Sequence, residues 1–210
     1  MAYENMKLSF FGIVIVSLVV VGVGIWYFWP EALVKNYPST VTGPVLMFGD
    51  SLVVGVGSEG NTLPQQLGRL VGTDILNFGV SGDTTRDGLA RLDEAVAERP
   101  KVAIILLGGN DFLKKIPREE TFANLEKIVT AFQAQGAIVM VLGVRSGLIG
   151  GGADQEYEDL AKDTGAAYVS DVLSGIFAHP DLMSDALHLN ALGYGKIAER
   201  LAPLLKKYLK

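Results

Sequence analysis

Val45-Leu-Met-Phe-Gly-Asp-Ser-Leu-Val-Val-Gly-Val-Gly-Ser-Glu-Gly60 runs from four apolar residues straight into Gly49-Asp50-Ser51-Leu52, then into Gly55-Val56-Gly57-Ser58-Glu59-Gly60. Two readings compete for it: a serine at the end of a buried strand, or a glycine-rich loop that cradles a phosphate. In the G-x-G-x-x-G dinucleotide motif the glycines follow the strand directly, so that a helix N-terminus faces the pyrophosphate. Here the apolar run ends at Phe48, and the string's first glycine comes seven residues later. An acidic residue should also end the second strand to hold a ribose hydroxyl. Asp74 instead precedes the second apolar run, and Gly79 ends it. No Gly-Lys-Ser/Thr occurs either, so the glycines read as a flexible loop and Ser51 becomes the residue to explain.

Working outward, short apolar runs recur at Val45–Phe48, Ile75–Phe78, Val102–Leu107, Ile138–Leu142 and Ala166–Val169. Each has the length and composition of a strand buried on both faces. Between them, helical spacing marks Leu63–Val71, Leu89–Ala97, Thr121–Gln135 and Tyr157–Thr164, and Ala191–Tyr208 closes the chain. In that last segment Leu192, Ile197, Leu201, Leu204 and Leu205 are expected along one apolar stripe. Alternating strands and helices predict an α/β fold with an open parallel sheet covered on both faces. Right-handed crossovers then bring the loops at the carboxyl ends of the strands to one rim.

The 210 residues carry a formal net charge of −5 and no cysteine. That excludes disulfides, thiolate metal sites and a cysteine nucleophile, and leaves no electrostatic footprint for nucleic acid. A mean hydropathy of +0.32 is high, and Leu8–Trp29 (LSFFGIVIVSLVVVGVGIWYFW) accounts for much of it. As a helix it would be about 33 Å long, enough for a hydrocarbon core of about 30 Å. It ends in Trp26, Tyr27 and Trp29, where an aromatic belt belongs, and lacks the small residues of a cleavage site. The expected order is a tail (1–7), a retained transmembrane anchor (8–29), a linker (30–43) and a catalytic domain (44–210) held on the extracytoplasmic side, with the lipid bilayer as a partner of the anchor.

A serine hydroxyl is a weak nucleophile without a base within hydrogen-bond reach. The chain has two histidines, His179 and His188. His188 lies in Ser184-Asp-Ala-Leu-His-Leu-Asn190, where Asp185 can fold back to accept from the imidazole. His179, followed by Pro180 and Asp181, reads as a surface-loop histidine. The second strand runs into Ser81-Gly82-Asp83-Thr84 and the third into Gly108-Gly109-Asn110-Asp111, which supply candidate oxyanion donors at the same rim. Each piece alone also has a structural reading: Asp50, Asp83, Thr84 and Asp111 suit helix N-caps, and Asn110 suits backbone satisfaction. Their convergence on one sheet edge favours acyl transfer.

Gly49-Asp50-Ser51-Leu52, Gly82, Gly108-Gly109-Asn110-Asp111 and Asp185-Ala-Leu-His188 resemble the blocks of the SGNH hydrolases, or GDSL esterases and lipases. The resemblance spans residues 44–210 and is closest to the bacterial thioesterase I, lysophospholipase L1 and arylesterase branch. It implies a flavodoxin-like three-layer α/β/α sandwich with a five-stranded parallel sheet, no metal and no cofactor. By position it assigns Ser51 as nucleophile, His188 as acid/base and Asp185 as its orienting partner. The Ser51 and Gly82 N–H groups and the Asn110 amide become the oxyanion hole. The family's proline after the histidine is Leu189 here. The G-x-S-x-G elbow of other hydrolases fits less well, since position 53 is Val53. The expected substrate is a small-molecule or lipid-derived acyl ester or thioester, with lysophospholipid-type molecules included. A carbohydrate O-acetylesterase and a silent, anchored binding module are the alternatives. Arg145 and the Gly147–Gly152 loop are candidate pocket walls.

Overall fold

Strands form where the apolar runs lie. The computed structural model describes residues 34–144 and 153–210. Its strands are β1 (Val45–Gly49), β2 (Ile75–Gly79), β3 (Val102–Leu106), β4 (Ile138–Leu142) and β5 (Ala167–Val169). They pair in parallel in the order β2-β1-β3-β4-β5. Every residue of β1, β3 and β4 is buried, because crossover helices cover both faces of the central strands. Edge strand β2 is only partly covered.

Alternate residues feed two cores, as the period of two in a strand requires. Val45 and Met47 point to one core, which also takes Leu63 and Leu67 of α2 (Leu63–Val71) and Ile197, Leu201 and Leu205 of α8 (Ala191–Tyr208). Leu46 and Phe48 point to the other, against α4 (Leu92–Ala97), α6 (Arg118–Ala134) and α7 (Asp154–Thr164). The result is the expected α/β/α arrangement. Three short helices lie just beyond strand ends or their loops: α1 (Ser51–Val54), α3 (Thr85–Ala90) and α5 (Gly109–Leu113).

Several expectations are corrected in detail. Leu192 is 66% exposed and leaves the buried stripe of α8. Five residues separate it from Ile197, a rotation of about 140° at about 100° per residue. The expected helix over Leu89–Ala97 breaks at Arg91, which ends α3 and begins α4 with φ −110° and ψ 12°. Residues 34–43, read as linker, are fastened to the domain. The Asn36 side chain donates to the Gln133 and Ala137 carbonyls at 2.9 Å each, Lys35 N–H donates to the Gly165 carbonyl, and the Tyr37 and Tyr208 rings meet edge to face. The expected anchor, Leu8–Trp29, lies outside the described residues. Among the described residues, no helix is long and apolar enough to cross a membrane.

Candidate active site

The sheet order changes direction between β1 and β3, and the crevice beyond their carboxyl ends is where open α/β sheets carry their sites. Ser51 opens α1 there, one residue after Asp50 caps the helix through Oδ1, which accepts from Leu52 N–H at 3.0 Å. Asn110 sits in α5 beyond β3. Gly82 lies in the turn beyond β2 with φ +84°, a left-handed conformation that side chains resist. A Cβ there would meet nothing within 4 Å, so the backbone angle and not space calls for glycine. The N–H groups of Ser51 and Gly82 have no acceptor among the described residues. Both are therefore available to a ligand.

The histidine arrives from the far end of the chain. His188 Nε2 lies 3.1 Å from Ser51 Oγ, and Nδ1 lies 2.8 Å from Asp185 Oδ2. Asp185 Oδ1 also accepts from the N–H groups of Leu187 (2.7 Å) and His188 (2.8 Å). The Leu187 N–H, then the imidazole, then the His188 N–H pull the Asp185 carboxyl down to about 2. It is thus ionised and can only accept. The proton therefore sits on Nδ1, and bare Nε2 faces the serine hydroxyl. Leu189, in place of proline, is fully buried and forms an antiparallel bridge with Met183. His179 is a surface residue, its side chain 64% exposed and 3.9 Å from Asp181.

Hydrogen bonds join the three strand ends. Asn110 Nδ2 donates to the Asp83 carbonyl at 2.9 Å and reaches Asp50 Oδ2 at 3.3 Å. Burial pushes the Asp50 carboxyl up to about 6; nearby Asp83 adds to the rise, while Leu52 N–H and His188 oppose it. Of the four expected N-caps, Asp50 and Thr84 serve their own helices. Asp83 instead pairs with Arg91 Nε at 2.6 Å. Asp111 lies inside α5, and its carboxylate accepts from Thr85 N–H at 2.8 Å and from the Thr85 and Thr121 hydroxyls. It caps a neighbouring helix from across the fold.

Arg91 was not singled out by sequence. Its guanidinium donates to the Phe78 carbonyl (3.0 Å) and the Gly49 carbonyl (2.9 Å) and stacks over Phe48 at 4.3 Å. It thereby ties the ends of β1 and β2 to the Asp83 turn. The glycine string also differs from its flexible-loop reading. Gly57 (φ +82°) lies so close to the histidine loop that a Cβ would meet Ser184 Oγ at 2.0 Å and the Leu189 carbonyl at 2.6 Å. Tyr194 Oη holds the same segment by donating to the Val56 carbonyl at 2.9 Å.

A cavity of about 250 Å³ opens beside Gly108, lined by Phe112, Ile116, Phe122 and Tyr157 together with Lys115, Arg118 and Thr121. Tyr157 donates to the Leu107 carbonyl at 2.8 Å, which fixes one wall. Arg145 and Gly147–Gly152, the expected walls, lie outside the described residues.

The GDSL-like lipase/acylhydrolase family matches residues 47–196, and the chain belongs to that family. It is 30% identical to the arylesterase of Vibrio mimicus over 189 residues, 81% of this chain and 92% of that protein. Over 141 residues it is 28% identical to thioesterase 1/protease 1/lysophospholipase L1 of Escherichia coli K12, covering 64% and 68% of the two chains. Among solved structures it resembles the crystal structure of TesA with a TM-score of 0.72 and 28% identity, across 79% of this chain and 99% of that one.

Proposed function

We propose that the chain is a serine esterase and thioesterase in which Ser51 is the nucleophile, His188 the acid/base and Asp185 its orienting partner. The observation that carries this is the Ser51–His188–Asp185 relay at 3.1 and 2.8 Å, with the imidazole tautomer fixed by an ionised carboxylate. Ser51 Oγ attacks the acyl carbonyl as its proton passes to His188 Nε2, and Asp185 stabilises the imidazolium. The carbonyl oxygen becomes an oxyanion held by the Ser51 N–H, the Gly82 N–H and the Asn110 amide. Collapse breaks the ester or thioester bond, and the alcohol or thiol leaves with the proton from His188. Water then attacks the acyl-enzyme with His188 as base and releases the acid and free Ser51. Every step is a proton or acyl transfer that these side chains complete alone.

The substrate is a small or lipid-derived acyl ester or thioester. The cavity beside Gly108, mainly apolar with Lys115 and Arg118 among its walls, favours chains longer than acetyl over sugar O-acetyl groups. Leu8–Trp29 anchors the protein in a bilayer with the catalytic domain on the extracytoplasmic side.

The test is a fluorophosphonate probe read by intact mass on the full chain. One adduct is expected on wild type, none on Ser51→Ala and strongly slowed labelling on His188→Ala. A folded wild type that takes no adduct would leave a silent binding module as the better reading. For topology, the natural absence of cysteine allows Ala2→Cys and Lys210→Cys to be labelled separately with an impermeant maleimide. Labelling at position 2 alone from the outer side would overturn the orientation.

A further inference from the structure

Gly82 offers its N–H from the tip of a turn. Asp83 N–H donates to the Val80 carbonyl at 3.2 Å, closing a four-residue turn over Val80–Asp83. The Gly82 φ of +84° is what the third position of a type II turn requires. The Ser81–Gly82 peptide at the middle of the turn bonds to nothing within it. Ser81 and Gly82 are both exposed, and glycine gives the backbone its widest freedom. A donor so placed needs a hold from outside if it is to keep one direction.

Helix α5 supplies that hold. Asn110 and Lys114 stand four residues apart, joined by the bond from Lys114 N–H to the Asn110 carbonyl at 2.9 Å, so they share a helix face. They donate to two successive carbonyls of the turn: Asn110 Nδ2 to Asp83 at 2.9 Å, and Lys114 Nζ to Gly82 at 2.9 Å. The Asn110 bond takes hold where the chain is already buried, since Asp83 is 8% exposed and paired with Arg91. Among the described residues, Lys114 makes the one side-chain hydrogen bond to the exposed tip. Asp87 steadies the same ammonium. Thr84 N–H, then the Thr84 hydroxyl, hold the Asp87 carboxyl below its usual range, and the charge of Lys114 adds to the fall. An exposed lysine adds little to stability. Its use here is direction.

We propose that Lys114 is a positioning residue of the oxyanion site: its ammonium, bonded to the Gly82 carbonyl, keeps the tip of the turn from swinging and the Gly82 N–H aimed at the developing oxyanion. This role rests on Ser51 as nucleophile and on the Gly82 N–H as an oxyanion donor. Lys114 touches no reacting atom and acts through the Gly82 backbone. A donor held in advance spends nothing on turning into place as charge develops.

The experiment compares Lys114→Met, which keeps the stem and removes the donor, with Lys114→Arg, which keeps a charged donor, in the full chain and on an uncharged p-nitrophenyl ester. Lys114→Met should lower kcat about tenfold with KM within about twofold. Its melting temperature should stay within about 2 °C of wild type. Lys114→Arg should restore kcat to within about threefold of wild type. Acylation and deacylation both pass through an oxyanion, so single-turnover and burst measurements should find both steps slowed in Lys114→Met. Wild-type kcat in Lys114→Met would overturn the proposal. So would a rise in KM at constant kcat, which would assign the ammonium to substrate binding, or a loss confined to acylation, which would assign it to the leaving group. A loss of rate that follows a fall in melting temperature and is not restored by arginine would make Lys114 a structural residue only. An unlabelled Ser51 in wild type would instead remove the esterase reading, so the two failures are distinguishable.

Discussion

Ser51 and His188 lie 3.1 Å apart and are held there by unlike means. Ser51 stands on a buried frame in which Arg91, Asp83, Asn110 and Asp111 cross-link the ends of β1, β2 and β3. His188 stands on a loop that mostly bonds to itself. Asp185 accepts from Leu187 and His188, Ser184 Oγ donates to the His188 carbonyl, and Asn190 Nδ2 donates to the Asp181 and Met183 carbonyls. Asp185 is 54% exposed at its side chain, whereas Asp111 is 1% exposed overall. Damage to the frame should therefore register in stability, and damage to the loop in rate with the fold intact.

The sharpest contrast comes from Asp185→Asn. With an amide at 185, Nδ1 loses its obligatory acceptor and the wrong tautomer of His188 becomes accessible. We expect kcat to fall about 10³-fold, with the thermal midpoint moving by less than about 2 °C. A large loss of stability would mean that the loop belongs to the frame. Arg91→Ala should behave in the opposite way. It strands Asp83 and takes a donor from the Phe78 and Gly49 carbonyls, the latter keeping Val80 N–H, which should cost about 4 kcal/mol in urea unfolding. Near-neutral stability would break the comparison from the other side.

A subtler test of the frame uses pH. The folded Asp50 carboxyl sits at about 6, above its ordinary 3.8, so the folded state binds this proton more tightly than the unfolded chain. Its contribution to stability is fully present below about 3.8 and is lost as pH rises through about 6. Relative to wild type, Asp50→Asn should gain about 2 to 3 kcal/mol in urea unfolding between pH 4 and pH 7.5. A pH-independent gap would show that Asp50 is not the buried acid. The smallest effect is expected where the two regions touch. Gly57→Ala adds a Cβ at positive φ against Ser184 and Leu189, which should cost about 2 kcal/mol in stability and about tenfold in kcat. A loss of stability without a loss of rate would show that Gly57 does not set the position of His188.

The strands were legible because central parallel strands must be apolar on both sides, and residues such as Ile104 and Met140 answer to that demand alone. Ser51, Asp185 and His188 were legible as candidates because the chain has only two histidines, and one of them follows an aspartate at turn spacing. Arg91 was not. Two of its acceptors are backbone carbonyls, which every residue carries, and its carboxylate partner lies eight residues away, at the other end of α3. Asp111 misled for a related reason. A carboxylate near a helix start reads as that helix's own cap, and only the approach of α5 to the start of α3 shows that it serves Thr85 instead. Leu192 misled because a list of leucines in a helix does not state the angle between them.

The attachment of residues 34–43 has a consequence for handling the protein. Asn36 and Lys35 bond just ahead of β4 and β5, at the amino ends of the strands, while Ser51 lies beyond a carboxyl end. The chain thus enters the domain at the pole opposite its mouth. A bead, chip or fusion partner joined at residue 34 would grip the molecule by its heel and leave the serine turned toward the medium.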